Sequence, residues 1–348
     1  MWDLAGHEKA TEALSRSLRA GRLAHAYLIT GVARVGKSTL ALRLAQALNC
    51  DSTSPPCGQC RSCRRIERGL HVDTRIIHLE ADNGAAEGEE KGRARGGEKN
   101  IGIGQVRALQ REVALAPQEG RWRTYVILNA ENLSLDAGNS LLKVLEEPPP
   151  HVVLILTATD ANMLLPTIVS RCQTVKLQPV AAPAIAEHLR ERHKLDAERV
   201  QLLARLSGGR IGWAIEAAEN EAALTERDEA LARLVPLIEA GVAERMASAG
   251  QMATEFGRER GSINLALELW LTWWRDVLLV QAGAEELVAN LDRLAALRRQ
   301  AQRCPVAHTH RYLRHIEAAR AQLDQNVNPR LALEALLLNI PAVGADSG

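Results

Sequence analysis

Aromatic residues are scarce in this chain, with one phenylalanine, three tyrosines and six tryptophans among 348 residues. Three of the tryptophans, Trp270, Trp273 and Trp274, fall in one segment at the i, i+3, i+4 spacing of a single helix face. With nothing basic interleaved beyond Arg275, they read as core or as a subunit contact rather than as a surface for stacking bases. Also missing is any apolar run near the roughly 18 residues that a membrane-spanning helix needs. The start, Met1-Trp-Asp-Leu-Ala-Gly-His, is neither basic nor followed by an apolar stretch, which excludes a secretory signal. Both absences point to a cytoplasmic protein with no membrane partner. An excess of one charge is lacking too. The 43 Lys and Arg against 42 Asp and Glu leave a net charge of +1, so any contact with nucleic acid has to come from a local patch or from partner subunits.

What is present is enough for more than one core, because domains of this composition run to about 150 residues. Up to about residue 178 the chain alternates short β-branched runs with helical stretches, the mark of a parallel sheet with crossover helices. The strand candidates are Ala26–Thr30, Thr74–His78, Thr124–Leu128, Val152–Thr157 and Thr174–Leu177. Each is continuously apolar rather than alternating, as when helices cover both faces of a sheet. Ala81–Asn100, rich in Gly, Glu, Lys and Arg, has too little apolar surface to order itself and is expected to be a disordered insertion. After Leu177 the strands stop. Ala182–Lys194, Ala197–Leu206 and Arg210–Ala218 predict a small helical domain over 179–220, and the helical patterns Ile263–Gln281, His310–Gln325 and Pro329–Ile340 predict an all-helical domain over 221–348.

The segment Gly31-Val-Ala-Arg-Val-Gly36-Lys37-Ser38 follows the first apolar run and opens a helix over Ser38–Leu48, the context that a phosphate-binding loop requires. In such a loop the glycines let backbone N–H groups turn toward a phosphate and the helix N-terminus adds positive potential. Lys37 reaches the β- and γ-oxygens, Ser38 ligates Mg²⁺, and Gly31, Gly36 and Thr39 complete the cradle for ATP or ADP. Hydrolysis asks for an acid at the end of the third strand, to hold Mg²⁺ and polarise water. Here that strand runs into Leu128-Asn129-Ala130-Glu131. Asn129 cannot act as a base, and Glu131, beyond the strand end, reads as a solvated surface acid.

Cys50, Cys57, Cys60 and Cys63 lie within fourteen residues, with Pro55-Pro56 and Gly58 allowing tight turns. Four thiolates this close point to a tetrahedral Zn²⁺ site with no open position, hence a structural one. An iron–sulfur cluster and unligated thiols are the rivals; the closing Cys-Pro of a ferredoxin run is absent. Disulfides are disfavoured in a reducing compartment. Cys172 and Cys304 stand alone and read as small buried hydrophobes. The arginines of Arg61–Arg68 could meet phosphate, but docking or solvating the cysteine loop is the plainer reading.

Together these pieces resemble the bacterial clamp-loader branch of the AAA+ ATPases over nearly the whole chain. The resemblance is carried by Gly6-His7-Glu8, by Arg22-Leu-Ala-His25-Ala-Tyr-Leu-Ile-Thr-Gly31 and by the cysteine cluster. It extends to Asn139-Ser-Leu-Leu-Lys143-Val-Leu-Glu146-Glu147-Pro148-Pro149, Ser170-Arg171-Cys172 and the closing stretch from Asn326. It implies an α/β P-loop AAA+ domain over 1–178, a helical lid and an all-α collar. The implied partners are gamma/tau motor subunits and a delta subunit in a pentameric ring, the sliding clamp, and primer–template DNA reached through the complex. Counting back from Asn139, the two acids of a motor subunit fall on Leu128 and Asn129 and are lost. The arginine of the lid falls most naturally on Gly212, with Arg210 as the substitute. Arg171 is kept, and in such rings it acts in trans, as an arginine finger on a neighbour's ATP. The expectation is therefore a stator with weak or absent ATPase of its own, nucleotidyl transfer belonging to the polymerase holoenzyme. The alternative is an active gamma/tau-like motor in which Glu131 restores hydrolysis.

Overall fold

A computed structural model describes residues 2–78, 100–325 and 327–341. The expected insertion at 81–100 lies outside the described residues, apart from Asn100. The chain groups into two compact units, Met1–Ile185 with Gly209–Trp213, and Ala186–Gly208 with Ala214–Gly348. Residues 179–220 are thus shared between the two.

The first unit is built on five parallel strands, β1 (Ala26–Thr30), β2 (Thr74–Ile77), β3 (Arg123–Ile127), β4 (Val152–Ala158) and β5 (Gln173–Lys176), in the order β2-β3-β4-β1-β5. Every residue of β1, β3 and β4 is buried, as continuous apolar runs demand. The edge strands depart from that expectation: β5 is largely exposed and β2 is buried only at its two ends, because an edge strand has a neighbour on one side alone.

Helices α1 (Glu8–Arg19), α2 (Lys37–Leu48) and α3 (Arg61–Glu67) supply Leu14, Leu40, Leu44 and Ile66 to a core shared with Tyr27, Ile29, Val126, Val153 and Ile155. Helices α4 (Ile103–Val113) and α5 (Leu135–Glu146) supply Val106, Leu109, Leu141 and Leu145 to a second core shared with Ala26, Leu28, Tyr125, Ile127, Leu154 and Leu156. Alternate residues of each central strand therefore serve opposite faces of the sheet. Each such Leu or Ile is worth roughly 1.5–3 kcal/mol of burial. The short α6 (Pro166–Val169) lies between β4 and β5, and α7 (Ala182–Arg192) follows β5.

Among its described residues the second unit holds helices joined by turns and no strand. After α8 (Ala197–Leu206) and α9 (Ile211–Glu219) come α10 (Ala222–Leu234), α11 (Val242–Arg258), α12 (Arg260–Gln281), α13 (Leu294–Arg303), α14 (Val306–Asp324) and α15 (Pro329–Leu338). Trp270, Trp273 and Trp274 are its core, as their spacing predicted, and none is more than 2 % exposed. Trp270 donates its indole N–H to the Tyr312 hydroxyl at 2.8 Å, and the rings of Trp270, Trp274 and Tyr312 meet edge to face. Asp276, fully buried on α12, accepts the backbone N–H groups of Ala289 and Asn290 and so anchors the turn between α12 and α13. Among the described residues no helix is long and apolar enough to cross a membrane.

Candidate nucleotide site and its surroundings

In parallel α/β sheets ligands gather at the carboxyl ends of the strands, and the phosphate loop sits there between β1 and α2. Its first residue, Gly31, has φ 149° and a Cβ there would stand 2.6 Å from the Leu177 carbonyl oxygen, so only glycine fits against the end of β5. Gly31 also donates its N–H to the Thr159 carbonyl at 3.3 Å, tying the loop to the end of β4. Lys37 is buried, and its Nζ donates to the carbonyl oxygens of Gly31 at 2.6 Å and Val32 at 2.9 Å. Burial pulls its pKa down, and the carboxylate of Glu131 pushes it back up. Ser38 and Thr39, at the head of α2, are exposed. His7, from the segment before α1, bonds the Val35 carbonyl through Nε2 at 2.8 Å and braces the loop from the other side.

At the end of β3 the structure bears on the missing acids directly. Asn129 is exposed, its backbone is left-handed with φ 52°, and its N–H donates to the Thr157 hydroxyl at 2.9 Å. Asparagine tolerates this conformation better than most residues. The chain reversal it produces corrects the reading of Glu131 as a solvated surface acid. The short 3₁₀ turn Ala130–Asn132 carries Glu131 toward β4, where Oε1 accepts the Thr159 hydroxyl at 2.7 Å and the Thr159 N–H at 3.1 Å. Its Oε2 is buried with no hydrogen-bond partner among the described residues. Thr159, which sequence reasoning missed, thus joins Gly31 through its carbonyl and Glu131 through its N–H and hydroxyl. A polar residue just past the apolar run of β4 was the available signal.

Gly212, where the lid arginine of a motor was expected, has a different use. Its N–H donates to the Arg34 carbonyl at 2.8 Å, and a Cβ would stand 2.9 Å from that oxygen. The start of α9 therefore rests on the backbone of the phosphate loop, with no room for a side chain between them. Arg34 adopts φ 60° at that contact.

Arg171 lies just beyond α6, half-exposed. Its Nη2 pairs with Glu146 Oε1 at 2.8 Å, and its Nη1 donates to the Thr167 carbonyl at 3.0 Å. Cys172 beside it is half-buried, and burial pushes its thiol up to about 12.

The four cysteines come together as their spacing predicted. The sulfurs of Cys50, Cys57, Cys60 and Cys63 all lie within 4.8 Å of one another, a set that could hold a metal ion. Backbone N–H groups point at them. Cys57 N–H donates to Cys50 Sγ at 3.4 Å, Cys60 N–H to Cys57 Sγ at 3.2 Å, and Cys63 N–H to Cys60 Sγ at 3.4 Å. The N–H groups of Cys60 and Gln59 lower the Cys57 thiol to about 6, which favours the thiolate that binds metals, while burial pushes Cys50 and Cys63 up. A metal–sulfur distance of about 2.3 Å in tetrahedral geometry requires sulfurs this close, so the donor set fits. Gln46 ties the cluster to α2 by donating to the Cys63 carbonyl at 2.9 Å. Of the arginines in Arg61–Arg68, Arg65 docks: it bonds the Leu70 carbonyl and pairs with Glu119 at 2.5 Å.

A five-stranded parallel sheet with a phosphate loop at its carboxyl edge and a helical C-terminal region defines a P-loop α/β protein. A family described as "DNA polymerase III, delta subunit" matches residues 6–181, and "DNA polymerase III, delta subunit, C terminal" matches residues 251–341. DNA polymerase III subunit delta' of Bacillus subtilis is 31% identical over 331 residues, covering 93% of each chain. DNA polymerase III subunit tau of Escherichia coli is 35% identical over 227 residues, covering 63% of this chain and 32% of that one. Subunit gamma of Buchnera aphidicola from Acyrthosiphon pisum is 35% identical over 190 residues, covering 54% and 48%. The chain belongs to the clamp-loader subunit family of DNA polymerase III.

Proposed function

We propose that this chain is the delta-prime-type stator of the clamp loader, a subunit that turns over little or no ATP itself and supplies Arg171 to a neighbouring gamma/tau motor. The observation that carries this reading is the end of β3. Leu128 and an exposed Asn129 stand where a motor needs its acids, so neither of these two positions supplies a carboxylate to hold Mg²⁺ and polarise water. Arg171, at an exposed helix end, has a planar fork suited to charge on a transferring phosphoryl group. In this reading the chain sits in a pentameric ring with gamma/tau and delta, in the cytoplasm, and the ring opens the sliding clamp onto primed DNA. Residues 179–220 act as the lid and 221–348 as the collar.

ATP or ADP with Mg²⁺ would be held as a ligand by Gly31, Gly36, Lys37, Ser38 and Thr39. Cys50, Cys57, Cys60 and Cys63 would hold Zn²⁺, which fixes the module's shape and supplies no chemistry. The test is single-turnover hydrolysis by the purified chain, alone and in a reconstituted loader. Binding without phosphate release alone, together with a loss of motor activity in the loader carrying Arg171→Ala, supports the stator. Steady turnover by the isolated chain would sink it.

A second reading draws on the buried, unpartnered Oε2 of Glu131. A gamma/tau-like motor would use that oxygen as its displaced acid. Turnover by the isolated chain that disappears in Glu131→Gln would favour it.

A further inference from the structure

Resting on the reading of Arg171 as a group that acts on a neighbour, we infer that Glu146 is its positioning residue, holding the guanidinium in the pose from which it reaches the adjoining nucleotide. Two nitrogens of Arg171 are fixed from two directions, Nη2 by Glu146 Oε1 at 2.8 Å and Nη1 by the Thr167 carbonyl at 3.0 Å. Two contacts on different nitrogens set the plane of the group as well as its place.

A guanidinium has five N–H donors, so those left over remain for an incoming phosphate. Glu146 is the last residue of α5, whose Leu141 and Leu145 are buried in the core under the sheet, so its carboxylate stands on a fixed support. Arg171 has no comparable anchor of its own, since α6 is a single turn. A long arginine side chain loses much rotamer freedom when it engages a ligand, and one already held loses less. The charge of Glu146 also strengthens the bond that holds it.

The experiment is steady-state ATPase of the reconstituted loader carrying Glu146→Ala, Glu146→Gln, Arg171→Ala and the double variant Glu146→Ala/Arg171→Ala. For Glu146→Ala we expect the motor's kcat to fall about 5–20-fold with KM for ATP unchanged. Glu146→Gln, which keeps an acceptor oxygen, falls between this and the wild type. In the Arg171→Ala background, removing Glu146 has no further effect. Three outcomes overturn the inference: unchanged kcat in Glu146→Ala, a faster motor, or an equal drop with and without Arg171. If Arg171→Ala itself leaves the motor untouched, the stator reading falls and this inference with it. If Arg171→Ala slows the motor and Glu146→Ala does not, only this inference falls.

Discussion

Two arginine–carboxylate pairs in the α/β unit are made of the same chemistry and sit in opposite surroundings. Arg123 and Asp73 are 3.3 Å apart with side chains 7% and 0% exposed, while Arg171 and Glu146 are 2.8 Å apart with side chains 35% and 50% exposed. Asp73 also accepts the backbone N–H groups of Gln118, Glu119 and Gly120, and Arg123 bonds the Glu112 and Ala116 carbonyls. The buried pair closes the turn that leads into β3, and no partner can exchange with it. The shorter pair is the looser one, because water and other ligands compete for it. Burial, not bond length, decides whether an arginine is part of the frame or free to serve another molecule.

The largest effect that this contrast predicts is on rate. In a reconstituted loader, Arg171→Ala should lower the neighbouring motor's turnover by about 10³-fold or more, the range of arginine fingers, and leave the chain's folding unchanged. ATPase and thermal melting measured on the same preparation check both halves. A variant that melts early, or that hydrolyses normally, would erase the difference between the two pairs.

Next comes Asp73→Asn, which keeps the shape and leaves Arg123 buried without a counter-charge. The expected cost is about 3–5 kcal/mol of stability, read by urea unfolding. A loss under 1 kcal/mol would mean that the Asp73–Arg123 pair is as exchangeable as the surface one.

The same pair predicts an acid limb. Burial raises the Asp73 pKa, but the three backbone N–H groups and Arg123 outweigh it, and the net shift is downward. A carboxylate with a lowered folded-state pKa gives stability that is present above its unfolded value, about 3.9, and lost as pH falls through the folded one. Wild type should therefore lose stability below about pH 4 more steeply than Asp73→Asn does, as shown by unfolding curves between pH 2 and 6.

Much of this was legible in the sequence where one local rule decided the outcome. All five strands, the Gly31–Ser38 loop, the tryptophan face and the cysteine cluster follow from hydrophobic period, spacing and flanking turns. The sequence gives less where two distant segments meet. Glu131 looked solvated because nothing local shows that Asn129 turns left-handed and carries it to Thr159. Gly212 looked like a lost arginine, and only the fold brings it onto the Arg34 carbonyl. The edges of the sheet were read as buried, since a run such as Thr174–Leu177 does not say how many neighbours it will have.

The smallest effect is the sharpest test of the comparison. Glu146→Gln removes the charge from an exposed pair, and such pairs contribute about 0–1 kcal/mol, so the unfolding midpoint should barely move. Its effect on the motor, if Arg171 works there, should still be measurable, because holding a side chain in place matters to turnover even where it adds nothing to folding. Unfolding and ATPase on one protein separate the two quantities. A large loss of stability in Glu146→Gln would place this pair beside Arg123–Asp73 as part of the frame, and Arg171 would then be held too firmly by its own chain to act on another.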